Sequence, residues 1–464
     1  MERKILFLVD HKHRDLPGLV LIGFHLEKMY SWHTSFVAVG QEDEVLDTLK
    51  PDYVVIPKPT YDIRQLLKWK LGNTKIVVIE TEGNPQDHKY KYRIRVKPDL
   101  FLFWNKNIHD RYYEELAPVT KTEVLGFYRS DLLHENWKQA FMDRSSFLKH
   151  HGLDPKNQTV TIATSSQESH LSNKRLKEKH KRRINSLEQT GDYFKIAENH
   201  IILRNIVEEF LQTSPSQFPN FNFVLKPHPH ENAVYWKQLI EKFGHKNLAL
   251  SLGHPINDVL SCSDFHIAYN VCTTTVEAGL AGVPNVEIHT KNSKLLYADE
   301  HLGLPKYRAN CAKELNALLT KELLTASSES QKTKWNSSPM LKKYVSKYLH
   351  KFDGNRCHAY AEFIEKWHKS NLRKSNLSIS FLEQIKFSLA LAALKGLYCL
   401  RQFSTNKLNS KELQDSVNKP SASENSELIK GKYVHKDFGL FDNRIQLGDE
   451  KEWFNKFEQI MRFK

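Results

Sequence analysis

Paired cysteines are missing from this chain. Its five cysteines, Cys262, Cys272, Cys311, Cys357 and Cys399, stand far apart, with neither disulfide nor metal-ligand spacing. That excludes a disulfide-stapled secreted scaffold and a zinc ribbon, and it reads as reduced thiols. No apolar run approaches the roughly 20 residues of a membrane span. The opening Met1-Glu-Arg-Lys-Ile-Leu-Phe-Leu-Val-Asp10 has too short an apolar core for a leader peptide and reads as a first strand. A soluble or peripheral protein is expected. A Gly-x-Gly-x-x-Gly loop and a Walker lysine loop are both lacking, which argues against a dehydrogenase and an NTPase. No Asp-x-Asp stands at a strand end, and the 23 histidines show no metal-ligand spacing in sequence, so no metal is expected.

What is present is size, aromatic content and positive charge. The 464 residues suffice for two domains and appendages. A net charge of +14 calls for an acidic partner: nucleic acid, an anionic membrane surface, a nucleotide or an acidic glycan. Part of that excess is local, since residues 174–183 carry seven Lys or Arg. A solvated loop or helix explains that run at least as well as a nucleic-acid patch.

Short apolar strands alternate with helical patterns over the first 135 residues, with strands at 5–9, 35–39, 53–56, 76–79, 100–103 and 123–125. A connector follows at 136–158, and the alternation resumes over 159–311 with strands at 159–163, 222–225, 248–250, 265–268 and 285–288. Such alternation predicts α/β architecture, two Rossmann-like doubly wound parallel sheets. A helical region is expected over 312–403, ending in an amphipathic helix at 377–403 that packs on the domains or lies on a membrane. A flexible linker at 404–430 and an aromatic tail at 431–464, docking on the body, complete the reading.

Two strand ends carry the most information. Phe223-Val-Leu-Lys-Pro-His-Pro-His230 ends an apolar strand with Lys226 and His228. Roughly thirty residues later, Phe265 to Ala268 lead into Asn270-Val-Cys-Thr-Thr-Thr-Val-Glu-Ala278, with a helix expected to start near Val276. Hydroxyls at a helix N-terminus, joined by a cation and an imidazole from a neighbouring strand, suit a nucleotide phosphate. The donor-binding candidates are therefore Lys226, His228, Asn270, Thr273, Thr274, Thr275 and Glu277. The plain alternative is a rigid Pro-His-Pro turn and a Thr run that only caps a helix.

In open parallel sheets, ligands bind beyond the carboxyl ends of the strands. That rule selects Asp15, Glu80, Glu82 and Glu168 as carboxylates able to take a proton from an acceptor or to act as nucleophile. Each of them also fits a cap, an ion pair or a ribose ligand.

Lys226-Pro-His-Pro-His-Glu231, Asn270 to Ala278 and Gly282-Val-Pro284, with the Asp10 to Gly18 loop and the Glu80-Thr-Glu-Gly83 and Gly126-Phe-Tyr-Arg-Ser-Asp131 strand ends, carry a resemblance over residues 1–310. They resemble bacterial surface-carbohydrate (capsule, O-antigen, lipopolysaccharide) glycosyltransferases of GT-B fold. The His-Pro and hydroxyl pair is similar to that of CMP-sugar transferases for Kdo or sialic acid and of teichoic-acid polymerases. The resemblance implies two domains facing a cleft, acceptor side first and donor side second, with a helical extension. It implies metal-independent transfer from a nucleotide-sugar, CMP-linked by preference, to a glycan or lipid-linked oligosaccharide. It also implies no cofactor beyond that substrate, no nucleic-acid partner, and a cytoplasmic location with peripheral contact at the inner membrane. Thr stands here where several of those families have Ser. Two alternatives are a UDP-sugar enzyme (a hexosyltransferase or a UDP-GlcNAc 2-epimerase-like protein) and a non-catalytic glycan- or nucleic-acid-binding protein.

Overall fold

β-Branched and aromatic residues fill twelve short strands: β1 (Arg3–Val9), β2 (Trp32–Ala38), β3 (Tyr53–Ile56), β4 (Lys75–Ile79), β5 (Leu100–Phe103), β6 (Lys121–Val124), β7 (Gln158–Ala163), β8 (Phe221–Lys226), β9 (Leu248–Leu250), β10 (Phe265–Tyr269), β11 (Asn285–Ile288) and β12 (Tyr307–Ala309). The computed structural model describes residues 3–59, 61, 65–66, 69–70, 72–81, 94, 96–172, 174–178, 193–269, 272–290, 293, 305–323, 339–375 and 449–462. The strands form two six-stranded sheets, ordered β2-β1-β3-β4-β5-β6 and β12-β11-β10-β7-β8-β9. Each of the ten strand pairings is parallel.

Both faces of each sheet are covered, which is why the strands read as continuous apolar runs. In the first sheet Leu6, Leu8, Val54, Ile56, Phe101 and Phe103 belong to one core cluster. In the second, Val160, Ile162, Phe223, Leu225 and Trp236 share another. The chain leaves β1 toward β2 on one side and returns to β3 on the other. It likewise leaves β7 toward β8 and returns to β10 on the opposite side. Right-handed crossovers in both directions wind each sheet doubly and open a crevice at each reversal. The architecture is α/β, with two doubly wound parallel sheets.

The strand positions follow the sequence reading, with differences at their ends. β1 and β6 begin two residues earlier, at Arg3 and Lys121, β2 begins three earlier, at Trp32, and β12 adds a sixth strand to the second sheet. The hydroxyl-bearing helix spans Thr273–Leu280, so it starts three residues before Val276. β-Branched threonine is an indifferent helix former, and periodicity therefore placed the start too late.

The chain divides into two compact units, Met1–Glu362 with Lys430–Lys464, and Phe363–Ile429. Both sheets lie in the first. The described part of the second is the later portion of helix Arg356–Ser375. Within the first unit, the chain crosses back to the first sheet after the second is complete. Asn105 Nδ2 donates to the Tyr348 carbonyl at 3.1 Å, Phe127 N to that of Leu349 at 3.1 Å, and Tyr360 Oη to that of Gly126 at 2.9 Å. Helix Asp449–Arg462 packs on helix Lys12–Tyr30 through Phe454 and Phe457 against Phe24. The ion pairs Lys12–Asp449 at 2.8 Å and Lys28–Glu458 at 2.6 Å flank that contact. The expected helix at 377–403, the linker at 404–430 and the tail up to residue 448 lie outside the described residues. Of the basic run, residues 174–178 are helical and 179–183 also lie outside them. No described helix is long and apolar enough to cross a membrane.

Candidate functional site

The reversal point of the second sheet lies between the carboxyl ends of β7 and β10. Three loops meet there, because β8 is the other neighbour of β7. Glu231 ties two of them together. Its buried carboxylate accepts from Thr164 Oγ1 at 2.7 Å, from Trp236 Nε1 at 2.7 Å and from the Ser166 backbone N–H. Burial raises the Glu231 pKa, and these three donors oppose that rise. The loop after β7 is thereby fixed to the Lys226-Pro-His-Pro-His-Glu231 turn before any ligand arrives.

Lys226 lies at the end of β8, and its Nζ donates to the His254 carbonyl. Burial lowers its pKa to about 8, with Asp258 and Glu277 pulling the other way. An ammonium group with one carbonyl partner keeps two further N–H donors for an anion. His228 accepts from the His230 N–H at Nδ1, 3.1 Å away, and the two rings lie 5.2 Å apart. That bond orients the imidazole within its turn.

Helix Thr273–Leu280 supplies the third part. Its N-cap is Cys272, in an extended conformation and with no side-chain cap. The threonines are thus the first three helical residues and do not act as the cap. They divide in role. Thr275 is buried and donates to Glu287 Oε1 at 2.8 Å, which commits its hydroxyl to the protein. Thr274 Oγ1 lies beside the Cys272 thiol and makes no full hydrogen bond. Thr273 is half-buried at the same terminus. Glu277, one turn on, is buried, and burial raises its pKa while Arg129 and Arg14 of the first domain lower it. Asn270 lies outside the described residues.

The first domain brings the loop after β1 to this place. A Cβ added to Gly253 would lie 3.9 Å from His13 Nε2, so the two domains touch here. His11 is buried, and neither of its ring nitrogens has a hydrogen-bond partner. Its pKa falls well below 6.5, first through burial and then through Arg14, His13, His230 and His228. His11 therefore lies within electrostatic reach of the Pro-His-Pro-His turn. Sequence reasoning had named this loop but not this residue. The signal was the strand-end rule itself, which selects the first residues after β1.

The sequence-selected carboxylates fare differently. Asp15 is fully buried and held by two guanidinium groups: Arg14 at 2.9 Å to each oxygen, and Arg129 Nη1 at 2.6 Å. The Arg129 guanidinium in turn lies over the rings of Trp104 at 5.4 Å and Phe127 at 5.1 Å. Arginine suits this post because a planar fork can pair with a carboxylate and stack on aromatics at once. Asp15 is thus a fixed member of an ion-pair network that extends to Asp10 through Arg14 at 3.4 Å. Glu80 is buried at the end of β4, and its carbonyl accepts from Trp104 Nε1 at 2.6 Å. Glu168 lies on a 3-10 turn, Gln167–His170, after β7. Glu82 lies outside the described residues.

The site therefore gathers Lys226, His228, Thr274 and Glu277 from the second domain opposite His11, Asp15 and Arg129 from the first. Such a set can hold an anion between an ammonium and an uncapped helix terminus, beside a neutral imidazole. Among the described residues one group of three histidines, His150, His151 and His254, lies close enough to hold a metal ion. Sequence spacing could not reveal it, because about a hundred residues separate its parts.

No protein-family model matches the chain, and no curated protein matches it. Solved structures similar to it include MnaA of S. aureus with UDP, at 10% identity and a TM-score of 0.48, covering 80% of this chain and 97% of that one. The wall teichoic acid polymerase TagF in a CDPG soak aligns at 14% identity and a TM-score of 0.48, over 80% and 90% of the two chains. HepE of Anabaena, in complex with UDP and glucose, aligns at 14% identity and a TM-score of 0.41, over 80% and 100%. At such identities and scores the likeness carries neither activity nor ligand to this chain.

Proposed function

We propose that this protein is a glycosyltransferase that moves a sugar from a nucleotide-activated donor to a hydroxyl of a bacterial surface glycan or its lipid-linked precursor. The observation that carries the reading is the convergence of the two domains at the end of β8, where His13 lies within electrostatic reach of Lys226 and the buried, unpartnered His11 within reach of His228 and His230. The donor phosphate would take the N-terminal N–H groups of helix Thr273–Leu280, the Lys226 ammonium, His228 and the Thr274 hydroxyl. These groups are in place before reaction, so they stabilise charge as it develops on the leaving phosphate.

The acceptor hydroxyl would approach from the first domain. As its oxygen bonds to the anomeric carbon and the bond to the leaving phosphate breaks, its proton passes to a nitrogen of His11. Because burial and neighbouring positive charge hold His11 neutral, a ring nitrogen is ready to accept. A bound phosphate anion would strengthen it as a base by reversing the local charge. Asp15 would position Arg129, which faces Glu277 across the cleft, and would not itself take the proton. The transfer as written needs no metal.

A CMP-linked ketosugar such as Kdo or a nonulosonate is the favoured donor, on the resemblance of Lys226 to Glu231 and the following hydroxyl run to CMP-sugar transferases. The decisive experiment is a thermal-shift series with CMP, CDP, UMP, UDP and GDP on the wild type and on His228→Ala. Stabilisation by a cytidine nucleotide that disappears in the variant supports this donor. Stabilisation by UDP instead moves the donor to a UDP-sugar, for a hexosyltransferase or a 2-epimerase. No shift with any nucleotide removes the reading and leaves a non-catalytic binding protein.

A further inference from the structure

The three histidines of the second domain lie outside the chemistry above. His150 ends helix Arg144–His150, His151 is its C-cap residue, and His254 lies in the loop after β9. Adjacent residues within a helix point apart, but a helix that stops here lets both rings turn to one side. The ring centroids form a near-equilateral triangle: 5.1 Å for His150–His151, 5.2 Å for His150–His254 and 5.2 Å for His151–His254. One ring nitrogen from each lies within 4.8 Å of the others.

We infer that His150, His151 and His254 bind a divalent transition-metal ion of the zinc class through three neutral imidazoles, with a fourth position open. Four observations carry this. First, a tetrahedral ion with Zn–N bonds near 2.0–2.1 Å sets its ligand nitrogens about 3.3 Å apart. The three nitrogens already lie within 4.8 Å of one another, so an ion needs each pair to close by no more than about 1.5 Å. Second, His254 Nδ1 lies 3.2 Å from Asp258 Oδ2, and Asp258 Oδ1 accepts from Met142 N at 2.9 Å. A carboxylate fixed behind one ring nitrogen aims the other at a metal and raises its basicity. Third, His151 Nε2 is buried and makes no hydrogen bond, a cost that a metal bond would remove. Fourth, Phe147 backs the cluster, 4.6 Å from His151 and 5.2 Å from His254, while exposed His150 leaves an entry path.

The ion would tie the end of helix Arg144–His150 to the loop whose His254 carbonyl receives Lys226. Its work is to hold the loop in place, so this inference and the proposed transfer can fail separately. Imidazole-rich sites favour Zn²⁺, Co²⁺, Ni²⁺ and Cu²⁺ over Mg²⁺ and Ca²⁺.

The test is a Co²⁺ titration of the full chain, free of any polyhistidine tag and cleared of metal by a chelator, followed by the visible absorption of the ion. One saturable equivalent is expected, with the intense bands of a four-coordinate ion, displaced by Zn²⁺ and not by Mg²⁺. His254→Ala should abolish it, and His150→Ala should weaken it at least about tenfold. Because His150 is exposed, thermal unfolding of metal-free His150→Ala should match the wild type, which separates lost ligation from lost fold. Wild-type Co²⁺ binding in His150→Ala and His254→Ala would overturn the inference. So would binding by the wild type no tighter than by His150→Ala/His151→Ala/His254→Ala.

Discussion

The two walls of the cleft are built on opposite plans. On the first-domain wall the charges are already paired with one another: Arg129 and Arg14 grip Asp15, and the Arg129 guanidinium lies over the rings of Trp104 and Phe127. On the second-domain wall the donors are oriented but under-used: Lys226 has a carbonyl partner, the helix at Thr273 is uncapped, and Thr274 Oγ1 makes no full bond. A wall that has satisfied itself supports shape, and a wall with donors in surplus awaits an acceptor. Among the buried atoms of this wall that lack a partner are Arg129 Nε, Tyr128 Oη and both ring nitrogens of His11. Of these three groups the imidazole is the base, which is why the proton transfer is assigned to it.

Substitutions should separate the walls by what they damage. Arg129→Met should cost the most, about 3–5 kcal/mol of stability, because it leaves the Asp15 and Glu277 carboxylates buried with less compensation. Chemical denaturation measures it, and an unchanged midpoint would end the claim that this wall is structural. His11→Gln should lower turnover by about a hundredfold or more while nucleotide affinity holds, as for loss of a general base. Equal losses in both would make His11 a phosphate ligand instead. His228→Ala should weaken nucleotide binding by about 1.5–3 kcal/mol, the scale of a charge-assisted hydrogen bond. Calorimetry at constant stability reads it directly.

The smallest effects sharpen the comparison most. Thr274→Val should cost about 1 kcal/mol in nucleotide binding and little stability. Thr275→Val should do the reverse, because its hydroxyl serves Glu287. A pH series adds a fifth check. His11 has a folded pKa below that of the unfolded chain, so the unfolded state binds its proton first as pH falls. Its contribution to stability is present above about 6.5 and is lost as pH drops from there toward the folded value. The groups around it, Arg14, His13, His228 and His230, act in the same direction. His11→Gln should therefore flatten the acid slope of unfolding free energy, and an unaltered slope would contradict the burial of a neutral imidazole.

How far the sequence revealed this arrangement depended on the range of the interaction. Strand ends such as Lys226 and the Asp10 to Asp15 loop were legible, because apolar runs locate strands and parallel sheets collect ligands at their carboxyl ends. Thr274 and Thr275 were legible as a pair but not as opposites. Only Glu287, twelve residues on and across a strand pairing, distinguishes them. The Asp15–Arg129 pair spans 114 residues, and no local pattern links its members. Glu231 lay in plain view within the Lys226 to Glu231 segment, yet its task depends on Thr164 and Ser166 from another strand end. The histidine triangle shows the same limit, since ligand spacing in a sequence records only sites built from neighbouring turns.

One contact described above bears on how the protein is made. Phe24, on helix Lys12–Tyr30, finds aromatic neighbours in Phe454 and Phe457, and Lys28 meets Glu458 from 430 residues away. During synthesis at about 5–20 residues per second, that helix face would wait some tens of seconds for its cover. The first sheet can pair its strands early, but its outer layer is completed only when residues 449–462 emerge. Nascent chains stalled before residue 449 should thus present a sticky aromatic patch, and a chaperone that recognises such surfaces should release the chain late.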